Sequence, residues 1–301
     1  MSLAQYQIFL KVVECGSFTK AAQLLSFTQS GVSHAVSALE QTLGLPLLSR
    51  SRGGVALTAD GRALLPYIRR LCAQQHQLEQ AAADLRGMTE GLVKVAAFSS
   101  VSAQWLPYIL KTFDAMYPSI EFEVLNADYY DQIESWVASG QADCGFLRLP
   151  GTRPLDTWPL HRDELKVILP PEHRLAGCGV FPLEAFGTET FIQLEEGDDY
   201  EITAAYNALG VRPYARYTIK EDQCILAMVS NGLGISVIPE LMLGHSSYPL
   251  AVCDLPQRFW REIGICVRDK EELSGSTRLF VQHVRDWVAA NYAGENAPGS
   301  L

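Results

Sequence analysis

From Thr28 to Leu43 the apolar side chains Val32, Val36, Leu39 and Leu43 recur at spacings of 4, 3 and 4, as on a helix with one buried face. Gln29, Ser30, Ser33, His34 and Ser37 then share the opposite face. Short hydrogen-bonding side chains near a helix N-terminus reach base edges in a DNA major groove, and the free amides and dipole of that terminus favour a phosphate. Thr28 stands where it would cap this helix, and Lys20, one helix earlier, could meet the phosphate backbone. A solvated face rich in Ser and Gln is the plainer alternative. Arg50 and Arg52 lie on the rising arm of a short hairpin, Leu47 to Leu57, that turns at Gly53-Gly54. Arginines at such a tip suit the negative potential of a minor groove, although exposed hairpin arginines are usually only solvated.

A second concentration of polar groups follows the strand Leu92 to Phe98, where Ser99, Ser100 and Ser102 flank Val101. In open α/β sheets ligands sit beyond the carboxyl ends of strands, and serines opening a helix offer hydroxyls and free amides to a carboxylate or other anion. An ordinary serine cap is the alternative. The strand Cys144 to Leu147, which contains Phe146, brings Arg148 to a matching strand end, as an ion-pair partner for an acidic ligand or as a solvated hinge arginine. Gln193 to Glu195, Ile202, Thr203 and the turn Asn231 to Gly234 are further candidates, the glycines of that turn serving the turn itself.

These side chains need elements to hold them. Leu3, Tyr6, Phe9, Leu10 and Val13 mark a first amphipathic helix that stops at Gly16. Ser17 or Thr19 can cap a short second helix, Lys20 to Leu25, and the third runs from Thr28 to Gly44, with Pro46 beyond. Three helices with a tight turn between the last two, followed by a hairpin, make a winged helix-turn-helix. Residues 59–86 then form one long helix striped by Leu64, Leu65, Ile68, Leu71, Cys72, Leu78, Ala82 and Leu85, with Pro66 expected to kink or weaken it. So long a helix needs a partner, and a self-associated pair would present two winged domains about a two-fold axis. Beyond residue 90 strands and helices alternate as in a parallel α/β domain, including a helix from Val101 to Tyr117 and strands at Glu164 to Leu169 and Glu262 to Val267.

Charge sorts with this division. Residues 1–90 carry eight Lys/Arg against six Asp/Glu, leaving 16 against 28 for the remainder of a chain of 301 residues and net charge −10. Only the first part is suited to a phosphate backbone. No apolar run is long enough to span a membrane and no signal peptide opens the chain, so a cytoplasmic protein with no membrane partner is expected. Seven widely spaced cysteines without a C-x-x-C pair read mostly as buried thiols; Cys144 and Cys224, the candidate redox sensors, lie in apolar stretches. The six histidines lack metal spacing, and the acidic run 195–199 lacks that of a calcium loop. With no G-x-S-x-G, P-loop or G-x-G-x-x-G after a strand, neither an enzyme nor a cofactor is expected.

The segment GSFTKAAQLLSFTQSGVSHAVSALEQTLGLPLLSRSRGGVALTADG, starting at Gly16, resembles the winged helix-turn-helix of the LysR-type transcriptional regulators. It carries the elements Gly-Ser-Phe-Thr-x-Ala-Ala, Thr-Gln-Ser-x-Val-Ser, Leu-Glu-x-x-Leu-Gly and Leu-Thr-x-x-Gly in order, and departs from the family at His34, Ser37 and Ser49. The resemblance covers the whole length. It implies an α/β fold class with a winged domain at 1–58, a linker and dimerisation helix at 59–88, and at 89–301 a two-lobed effector domain similar to type 2 periplasmic binding proteins. Lobe I would take 91–161 and 267–301, and lobe II 162–266. The function implied is sequence-specific DNA binding modulated by a small-molecule effector between the lobes, as a homodimer or homotetramer, with an RNA polymerase contact if the protein activates. A solute-binding module with a degenerate or non-specific DNA-binding domain is the alternative.

Overall fold

The computed structural model describes residues 2–51, 54–85, 90–195, 201–244 and 246–292. The chain divides into two compact units, one built on residues 1–88 and one on residues 89–137 and 142–301.

In the first unit α1 (Leu3–Cys15) ends on Gly16 in a left-handed conformation, α2 (Phe18–Leu24) is capped by Ser17, and α3 (Gln29–Leu43) is capped by Thr28 and closed by Gly44. The second helix thus starts two residues earlier than its spacing indicates, because the Ser17 hydroxyl accepts from the Lys20 amide. Phe9 and Val12, Ala21 and Ala22, and Val32, Val36 and Leu39 close one core, the alanines letting α2 approach its neighbours. The hairpin β1 (Leu48–Ser51) and β2 (Gly54–Leu57) pairs Leu48 with Leu57 and Ser51 with Gly54. Helix α4 (Ala59–Leu85) is uninterrupted through Pro66.

The second unit is built on a seven-stranded sheet in the order β10-β6-β11-β5-β3-β4, with β9 also pairing β6. The parallel strands β3 (Gly91–Phe98), β4 (Ile120–Ala127) and β5 (Cys144–Leu149) lie at one end. Two long antiparallel strands, β6 (Asp156–Leu169) and β11 (Trp260–Val267), join them to β9 (Ser236–Pro239) and β10 (Ala251–Asp254). A separate parallel pair is formed by β7 (Phe191–Leu194) and β8 (Ala215–Ile219). One core joins β3, β5 and β11 to Phe280, Val281, Val284 and Val288 of the last helix, α10 (Gly275–Asn291). The other lobe packs Phe181, Phe186, Phe191, Ile202 and Ala205 around β6. Among the described residues no helix is long and apolar enough to cross a membrane.

Four local features differ from the sequence reading. The helix expected over 101–117 is two, α5 (Ser99–Gln104) and α6 (Leu106–Asp114), broken at Trp105 because Pro107 has no amide to continue the ladder. The strand expected at 164–169 begins at Asp156; Pro159 is accommodated where the register with β11 shifts at Ile263/Gly264, as expected of a proline in a sheet. The edge strand β10 lies in a stretch without alternation and was not anticipated. Cys224 is exposed rather than buried, because it lies on the outer side of α9 (Asp222–Ser230), whose Ile225, Leu226 and Val229 face inward, whereas Cys144 is fully buried.

Candidate DNA-binding face and ligand cleft

The polar face of α3 is set by its apolar one. With Val32, Val36 and Leu39 at 0–2% exposure, Gln29, Ser30, His34 and Ser37 are turned to solvent and Ser33 is half-buried. Thr28 is committed to structure, its hydroxyl accepting from the Gly31 amide at 3.1 Å and lying 3.2 Å from the Ser30 hydroxyl. Lys20 is exposed on α2. Arg52 and the side chain of Arg50 lie outside the described residues, but the root of their hairpin is firmly held. Glu40 Oε1 accepts from the amides of Leu47 and Leu48 at 2.7 and 3.0 Å, and the Thr58 hydroxyl donates to the Pro46 carbonyl at 2.6 Å. The Val55 amide donates to the Gly16 carbonyl at 3.0 Å, and Gly54, at a φ of 118°, leaves no room there for a side chain.

In the second unit a cavity of about 110 Å³ opens where the carboxyl end of β3 meets residues of the other lobe. Ser99 and Ser100 line it, with Phe98, Asp128, Tyr129 and Tyr130 from their own lobe. Leu194, Glu195, Lys220, Glu221 and Asp222 face them, and Arg261 and Met242 complete the lining. The remaining expected residues lie elsewhere. Val101, Phe146 and Ile202 are buried in the lobe cores, and Ser102 donates to Asn126 Oδ1 at 2.7 Å. Arg148 stands 3.9 Å from Glu201 Oε2, while Gln193 and Thr203 are half-buried outside the lining.

Arg261 organises the floor of the cleft. Its Nε and Nη2 reach Asp163 at 2.9 and 2.8 Å, Nη1 donates to the Tyr130 hydroxyl at 2.9 Å, Nη2 donates to Ser100 Oγ at 2.8 Å, and the guanidinium lies 4.8 Å from the Phe98 ring centre. Burial opposes its charge, yet Tyr130, Asp163 and Glu201 more than offset this and hold its pKa above the usual value. Two further contacts link the lobes across the cleft: Lys220 donates to Asp128 at 2.8 Å, and Ser99 donates to Asp222. Burial raises the Asp222 carboxyl, against the lowering effect of the Ser99 bond and of Arg261. Sequence reasoning passed over Arg261, although a charged residue inside the strand WREIGICV signals a buried partner. Among the described residues no group of His, Cys, Asp and Glu could hold a metal ion.

Comparison with known proteins agrees with both units. Residues 3–62 match the family model "Bacterial regulatory helix-turn-helix protein, lysR family", and residues 86–289 match "LysR substrate binding domain". The chain is 32% identical over 276 residues to the probable HTH-type transcriptional regulator LrrA of Synechococcus elongatus, covering 89% of this chain and 90% of that protein. Its fold is similar to that of full-length CbnR in complex with its target DNA, at a TM-score of 0.69 and 23% identity over 95% of this chain and 99% of that one. It is also similar to the effector-binding domain of QuiR in complex with shikimate, at a TM-score of 0.60 and 17% identity over 67% of this chain and 99% of that one. The chain therefore belongs to the LysR family of transcriptional regulators, DNA-binding proteins with a substrate-binding effector domain and not enzymes.

Proposed function

We infer that this regulator reads a specific operator through the outer face of α3 and that a small molecule held in the cleft of the second unit sets the outcome. The observation that carries the reading is the two-sided α3, whose Val32, Val36 and Leu39 are buried while Gln29, Ser30, His34 and Ser37 are exposed beside a capped N-terminus. Those four side chains read bases, Ser33 contributes from the edge of the face, and Lys20, Arg50 and Arg52 contact phosphates or the minor groove. Thr28 contributes by holding the helix start rather than by touching a base.

Self-association is supported by α4. Leu64, Leu65 and Ile68 pack on the winged core, but farther along Leu71 and Leu78 are 44% and 71% exposed. A homodimer or homotetramer covers these residues and presents winged domains in pairs, as half-sites require. The protein works in the cytoplasm, and as an activator it would also touch RNA polymerase. Ligand in the cleft acts by favouring one of two assemblies, which requires that it bind them with different affinities. A carboxylate or other anion was the expected effector; its support weakens because Ser100 already accepts from Arg261 and Arg148 stands beside Glu201.

His34→Ala and Ser37→Ala test the face. Each is expected to weaken binding to the operator by about tenfold, the scale of one lost base contact, with little effect on random DNA. Lys20→Ala is expected to weaken both alike. Equal losses on operator and random DNA for all three variants in a competition assay would overturn the assignment.

A further inference from the structure

We propose that the cleft of the second unit selects a small cationic amine, an inference that rests on reading this cavity as the effector site. Both cations that line it are already engaged by the protein. Arg261 is buried against Asp163, Tyr130 and Ser100, and Lys220 donates to Asp128 at 2.8 Å with its ammonium 5.0 Å from the Tyr129 ring centre. An incoming carboxylate would have to displace one of these acids from its partner, and removing a carboxylate from a buried guanidinium is costly.

The acids, by contrast, outnumber their cations. Asp222 meets the serine hydroxyl of the opposite lobe, not an ammonium, and Glu195 and Glu221 add exposed carboxylates to the same lining. A separate observation sits beside the floor. Glu201, 6% exposed and outside the lining, accepts from Tyr130 through Oε1 at 3.2 Å and pairs through the same oxygen with Arg261 Nη1 at 3.7 Å, while its buried Oε2 lies 3.9 Å from Arg148 Nε. Arg261 is thus shared between two buried carboxylates, Asp163 and Glu201, which leaves it committed to the protein rather than to a ligand anion. Burial raises the Asp222 carboxyl, and a positive charge placed beside it would act in the opposite direction, as Arg261 already does. Phe98, Tyr129 and Tyr130 complete the lining with rings, and aromatic faces beside carboxylates are the surroundings in which ammonium groups bind.

The test uses two scaffolds in three charge states: putrescine, 1,4-butanediol and succinate, and tyramine, tyrosol and 4-hydroxyphenylacetate. Each is added to the full-length protein at roughly 10 mM, and the unfolding midpoint and DNA affinity are followed, since a ligand that binds only the folded state raises the midpoint. The expected result is a raised midpoint with at least one amine and with neither its alcohol nor its acid counterpart. Asp222→Asn is expected to weaken that amine by about tenfold, as for a lost charge-assisted hydrogen bond, and Glu221→Gln, an exposed position, by roughly twofold. A shift with succinate or 4-hydroxyphenylacetate and none with the amines would overturn the amine assignment and leave the cleft as the effector site. An equal response to all members of a scaffold would also overturn it. No response to any of the six would remove the effector reading of this cavity together with the proposal.

Discussion

Arg261 gathers its partners from across the chain, with Asp163, Tyr130 and Ser100 lying 98, 131 and 161 positions away. Arg261→Ala leaves Asp163 buried at 2% side-chain exposure without its counter-charge, for which the expected cost is about 3–5 kcal/mol in urea unfolding. A cost below about 1 kcal/mol would show that water reaches the site and that the ion pair is not an isolated one. His161, 8% exposed beside Trp105 and Tyr292, makes a second expectation. Burial lowers its pKa from the usual 6.5, Asp163 acting to raise it and Arg261 to lower it. The unfolded chain then binds a proton that the folded one refuses, so this contribution is present above pH 6.5 and is lost as the pH falls toward the lowered folded value. The unfolding midpoint of the wild type is expected to fall between pH 8 and 5.5 more steeply than that of His161→Asn; parallel profiles would contradict it. The charge inside β11 signals a buried partner for Arg261 but not which one, and His161 carries no such signal. Sequence periodicity marks which face of a strand is buried, but it cannot say that partners 98 to 161 residues away will close around one guanidinium.

Among the elements, the winged domain was the most legible, because each of its signals is local. The 4, 3, 4 spacing in α3, Thr28 ahead of it and Gly44 behind it all act within a few residues, and the helix falls where they place it. The break at Trp105 shows the limit. Apolar residues continue across it, and only the missing amide of Pro107 tells α5 from α6. The same distinction explains why Ser99 and Ser100 reach the cleft while Val101 and Phe146 do not: the strand end is visible in the sequence, but the side of the chain that turns toward the second lobe is not. At the join of wing and linker helix, Gly61 has no room for a methyl group, since a Cβ there would sit 2.1 Å from the Leu47 carbonyl oxygen. Gly61→Ala must therefore displace backbone and is expected to cost about 1–3 kcal/mol, with a weaker grip on DNA as the hairpin shifts. Unchanged unfolding and unchanged operator affinity would contradict the rigid junction.

For the molecule as a whole, the division of charge decides which unit can meet DNA. Eight basic against six acidic residues in the first 90, and 16 against 28 in the rest, let the winged domain approach phosphate while the acidic second unit is repelled from it. The same surplus of acids recurs in the cleft, where the ligand chemistry departs from the anion expected from three serines and an arginine. Family, domain order and most elements were readable from the sequence, β10 and the break between α5 and α6 excepted, whereas ligand charge depended on which acids fold around which cation. The most direct test of the central claim is selection of fragments from the source genome by the purified protein at physiological salt, followed by footprinting of those retained. An interrupted palindrome protected at both half-sites is the expected result. Binding that collapses with added salt and prefers no sequence would contradict it, leaving the winged domain as an electrostatic anchor only.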